Sequence, residues 1–135
     1  MNTKKYLLAS LAVFVTLLIL DFVIHNLILS SAYESIQEIF RPDMMDKMWI
    51  MYVTGIIFSL LFVYIFSKGY EGKGIVEGLK YGLIIGLVVH LVGSYNQYAV
   101  YPLPYSLVLK WFIYGTIELM IAGIVLALVY KPKEQ

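Results

Sequence analysis

YLLASLAVFVTLLILDFVIHNLIL, residues 6–29, is an apolar run with Ser10, Thr16, Asp21, His25 and Asn26 as its only clearly polar interruptions. Crossing a bilayer core takes roughly 20 helical residues, so this run is long enough to span. Lys4 and Lys5 precede it and Ser30, Ser31 and Ala32 follow it, as in a secretory signal. The run is nevertheless longer than the apolar region of such signals, and a retained helix is expected. Three more stretches of spanning length follow at residues 48–66, 75–95 and 107–130. The expectation is an all-α membrane protein, a bundle of four transmembrane helices forming one integral membrane domain over residues 1–135.

Composition agrees. Of 135 residues, 61% are hydrophobic and 14% charged, where soluble domains carry about a quarter charged residues. A net charge of +1 without basic runs gives no footprint for a nucleic acid. The absence of cysteine excludes disulfides, thiolate metal sites and thiol redox chemistry. Lys4, Lys5, Lys68, Lys73, Lys80, Lys131 and Lys133 fall on one side of the four spans, and Arg41, Lys47 and Lys110 on the other. By the positive-inside rule this puts both termini in the cytoplasm, with the cytoplasmic (inner) membrane as the expected location.

The halves resemble one another. Pro42, Trp49, Tyr52 and Thr54 recur 62 positions later as Pro104, Trp111, Tyr114 and Thr116. Phe-Val-Ile-His ending at His25 matches Leu-Val-Val-His ending at His90, and Tyr33 matches Tyr98, at an offset of 65. The pattern predicts two related helical hairpins, a parallel internal repeat about an axis along the membrane normal. In the outer connection, Ala32, Tyr33, Ile36, Ile39 and Phe40 keep helical spacing, which extends the first helix toward residue 40 before Pro42 ends it. Residues 95–106, with Pro102 and Pro104, are expected to be irregular. The glycine-rich turn Lys68–Gly74 lacks phosphate-loop spacing and reads as a flexible turn at lipid headgroups.

Ionisable groups within spans are costly, about 2.5–3.5 kcal/mol at helix centre, so Asp21, His25, His90 and Glu118 are the informative residues. At ~1.5 Å rise per residue, the histidines lie roughly 6–8 Å below the outer helix ends. Asp21 is one turn deeper on the His25 face, and Glu118 deeper again, with Tyr114 placed to donate to it. Gly82 and Gly86 share a stripe with His90, and the repeat pairs that stripe with Leu17, Asp21 and His25 of the first helix. Gly82, Gly86, Gly123 and Ala127 read as helix-packing positions.

Three functions fit this constellation. The first is structural: hydrogen bonds across helices in an accessory or assembly subunit of a membrane complex. In the second, His25 and His90 ligate a b-type haem or a metal ion, with Asp21 orienting His25. In the third, Asp21, the histidines and Glu118 form a pathway for protons or small cations. No nucleophile elbow, zinc-protease motif or other catalytic signature occurs, which weighs against an enzyme. The expected partner is the lipid bilayer, and the glycine stripe suits either a homo-oligomer or docking in a larger membrane complex.

Overall fold

A computed structural model describes residues 2–131; Lys133 of the charge count lies outside them. Four helices are long and apolar enough to cross a membrane: Thr3–Ile28, Met44–Lys68, Ile75–Val100 and Tyr105–Val129, here the first to fourth helices. Their starts follow local chemistry. The Asn2 side chain accepts the Lys5 backbone N–H at 3.2 Å, satisfying a donor that has no partner within the helix. The third helix follows a turn in which Gly72 and Gly74 have φ of 73° and 77°, values that glycine adopts without steric cost. Glu77 then reaches back to accept the N–H groups of Glu71 and Lys73 at 2.6 and 2.8 Å. Pro104, at φ −62° and ψ 134°, leads into the fourth helix.

The end at the 67–74 turn is called inner and the opposite end outer. The first helix packs on the second and the fourth, and the third packs chiefly on the fourth. That last contact is the tightest, because Gly78, Gly82 and Gly86 face Gly123, Leu119 and Thr116. A Cβ at Gly78 or Gly82 would collide with the backbone of Gly123 or Leu119, and Ala127 also abuts Gly78. Small residues let helix backbones approach closely. The glycine stripe therefore meets the fourth helix, not the Leu17, Asp21 and His25 stripe of the first. The repeat-based pairing missed this because it assigned the contact by symmetry and not by where a close approach was possible.

Toward the inner end the bundle is filled. Ala9, Val13, Phe62, Val63, Leu126 and Ala127 are buried in one core. Tyr81 of the third helix donates its hydroxyl to the Phe62 carbonyl and packs its ring on Phe62 and Phe66, holding the second and third helices together. Tyr6 likewise donates to the Leu60 carbonyl at 2.8 Å.

The outer connections differ from expectation in two places. The first helix does not run on to residue 40: the chain bends at Leu29, which is 1% exposed, and continues as a short helix Ser30–Glu34 and a 3-10 turn Gln37–Ile39. The helical spacing was real, but burial of Leu29 and Ile36 against Leu103, Leu107 and Val108 folds this segment over the end of the bundle. Residues 95–100, expected to be irregular, are helical, and the irregular link shrinks to residues 101–104. Neither proline lies early enough in the segment to stop the third helix before Val100.

Candidate functional site

Both histidines stand in π-helical turns, His25 in Phe22–Ile28 and His90 in Leu87–Leu91. The wider turn is visible in the bond from the Leu29 N–H to the Ile24 carbonyl, five residues back, at 2.9 Å. A π turn inserts a residue into the helical repeat and re-aims the side chains around it; such turns concentrate at functional sites.

The re-aimed histidines line one space. In the outer half the second and third helices enclose a cavity of about 810 Å³, walled by Met48 and Met51 on one side and Val89, Gly93 and Gln97 on the other. His25, Tyr33, His90 and Trp111 also line it. A smaller cavity of about 420 Å³ adjoins it, with Met51, Val89 and His90 lining both. Asp21 and Glu118 face this second space among Phe14, Leu17, Phe58 and Leu119.

The hydrogen bonds give the site a direction. Trp111 Nε1 donates to the Tyr33 hydroxyl at 2.7 Å, and that hydroxyl lies 2.6 Å from His25 Nδ1. An indole nitrogen can only donate, so the Tyr33 oxygen accepts from Trp111, and a single hydrogen, on the hydroxyl or on the ring, joins it to His25 Nδ1. The other ring nitrogen, Nε2, faces Asp21 Oδ1 at 3.9 Å. The distance is too long for a direct hydrogen bond, and the pair is a charge contact if the ring is protonated. Burial raises the Tyr33 phenol above its ordinary range, the Trp111 bond opposes this, and the charge of Asp21 adds to it.

Beyond His25, Asp21 and Glu118 face each other's charge across the smaller cavity that both line. Glu118 is only 6% exposed. Tyr114 does not serve it: that ring packs in the outer apolar cluster. Its four-residue spacing to Glu118 placed both on one helix, but neighbouring helices decided which group each side chain meets. His90 lies against Gly115, where a Cβ would stand 2.5 Å from the ring. Sequence reading missed Tyr33, Trp111 and Gly115 as site residues. Tyr33 lies past the first span and 78 positions from Trp111, so only the return of the outer segment could join them.

Asp21, His25, His90 and Glu118 are thus gathered around two adjoining cavities, while Gly82, Gly86, Gly123 and Ala127 belong to the contact behind them. Among the described residues no three His, Cys, Asp or Glu side chains form a group able to hold a metal ion. His25 and His90, the pair expected to ligate a haem or metal ion, line one cavity without a third such ligand, among the described residues, grouped with them. Compared with known proteins, the chain has no match among family models, curated proteins or solved structures.

Proposed function

We propose that this chain is a small integral membrane binding protein, which takes an amphipathic molecule into the outer-half cleft between its second and third helices. The observation that carries the reading is the cavity of about 810 Å³ with apolar walls and a few convergent polar groups, His25, His90, Tyr33 and Gln97 among them. Ligand sites are typically apolar clefts of this size with few placed polar groups. The filled inner half supports binding over a transmembrane proton or cation pathway, because Tyr6 and Tyr81 there spend their hydroxyls on backbone carbonyls amid an apolar core. A structural role accounts for part of the constellation: the Trp111, Tyr33 and His25 chain ties the outer segment to the fourth helix. A scaffold of that kind also suits an accessory subunit that holds a ligand for a larger complex.

Gly93 supplies the test. It lines the cleft and a Cβ there meets nothing within 4 Å, so Gly93→Leu fills the cavity without straining the fold. Protein extracted gently from its membrane should carry a lipid or other amphiphile, detected by mass spectrometry, that the variant loses while staying monodisperse. Identical co-purified molecules in both proteins would overturn the reading.

In this reading the cleft opens to the outer leaflet, with the 67–74 turn in the cytoplasm, as the lysine distribution favours. The two halves are duplicated hairpins. Support for that comes from the matched offsets and from the presence of each histidine in a π turn.

A further inference from the structure

We infer that the ligand carries a positive charge: a hydrophobic organic cation whose ammonium-like head sits against Asp21 and Glu118. This rests on the binding reading above and specifies its ligand class. Three observations converge on it. First, Glu118 is only 6% exposed and faces the smaller cavity. Its near neighbour is another acid, Asp21.

Second, no Lys or Arg lines either cavity; the ionisable linings are Asp21, Glu34, Glu118, His25, His90 and Tyr33. Among the described residues the ion pairs of Arg41 and Lys73 are made locally, with Asp43 and Glu71. A buried carboxyl beside a second one, as Glu118 is beside the half-exposed Asp21, is stabilised by a shared proton or by a cation. The cavity of about 420 Å³ that both face has room for far more than a proton.

Third, the walls select the kind of cation. Phe14, Leu17, Leu18, Phe58 and Leu119 line the space with the carboxyls, and Thr54 is the one hydroxyl beside them, already donating to the Met51 carbonyl; a hard metal ion requires about six or more oxygen ligands. Above them, Met48 and Met51 are adaptable, polarizable side chains of the sort that accept varied apolar bodies. Trp111 and Tyr33 add aromatic faces, which attract organic cations.

The probe pair is tetraphenylphosphonium and tetraphenylborate, which have nearly the same size and opposite charge. Binding is read by isothermal titration calorimetry on the full chain in nanodiscs of uncharged lipid. Saturable binding of the phosphonium and not the borate is expected, weakened about tenfold or more in Glu118→Gln and in Asp21→Asn; tenfold corresponds to about 1.4 kcal/mol. Each variant is checked for a wild-type elution profile, and Gly93→Leu serves as an independent well-folded control that should also lose binding. Equal binding of both ions, or phosphonium binding that neither carboxyl substitution weakens, overturns the cationic class. If the phosphonium fails while an uncharged amphiphile such as octylphenol binds in a Gly93-dependent way, the charge assignment falls and the cleft reading stands. If no probe binds in a Gly93-dependent way and wild type and Gly93→Leu carry the same co-purified molecules, both fall.

Discussion

Tyr33 concentrates the chemistry of the site in one hydroxyl. It accepts from Trp111 and is hydrogen-bonded to His25, and each bond contributes about 0.5–1.5 kcal/mol net. Its pKa is raised by burial, so the unfolded chain loses the phenol proton before the folded chain does. Between the two pKa values the folded state holds more protons, and stability falls as pH rises. The contribution is therefore complete below about pH 10, the ordinary phenol value, and is lost as pH climbs through the higher folded value. Denaturation followed from neutral to strongly alkaline pH should show a loss of stability that is smaller in Tyr33→Phe. The same variant should be less stable at neutral pH by about 1–2 kcal/mol, since it leaves the Trp111 N–H without its acceptor. Parallel pH curves for the two proteins would contradict a raised Tyr33 pKa.

Between elements, the fourth helix is the organising surface, because glycines let the third helix lie directly on it. Gly82→Ala drives a methyl group into the Leu119 backbone. Overpacked positions cost typically 1–3 kcal/mol, so thermal unfolding in detergent should shift down clearly. Gly115→Ala acts at the other end of the same contact by displacing the His90 ring, whose atoms lie 2.5–2.6 Å from where the added methyl group would stand. It should disturb ligand binding more than stability, because the ring can yield into the adjoining cavity while the backbone at Gly82 cannot. Equal stability losses in the two variants, with binding intact in Gly115→Ala, would contradict this division. The stripe was legible from the spacing of Gly82, Gly86 and His90, but its partner was not. Spacing reports which residues share a face of one helix and says nothing of which neighbour supplies the opposing surface. The π turns were illegible for a related reason: FVIH and LVVH carry no breaker residue, and the extra residue in the turn follows from packing.

Across the whole molecule, the bundle is closed toward the turn that joins the second and third helices and opens toward the other end. The chain has no cysteine, so introduced ones report topology cleanly. With the cleft outward, Glu38→Cys should react with an impermeant maleimide added to intact cells and Gly72→Cys only after permeabilisation. Duplication further requires Trp49 and Trp111 to lie at like depth, although Trp49 is 62% exposed and Trp111 is bonded to Tyr33. Brominated lipids with the bromine at graded depths should quench the two single-tryptophan variants most strongly at the same depth. The reverse labelling would refute the orientation, and distinct quenching depths the duplication. What the sequence by itself determined was the class of structure and the polar set: four runs of spanning length, and Asp21, His25, His90 and Glu118 as costly groups within them. Those follow from transfer energies, which depend only on how many apolar residues occur in a row. The tertiary structure decided which polar groups meet, that Tyr33 and Trp111 join them, and that the space they surround is open. Such pairings depend on the bend at Leu29, the π turns and the close contact of two glycine faces, each set by how separate helices pack and not by any local run of residues.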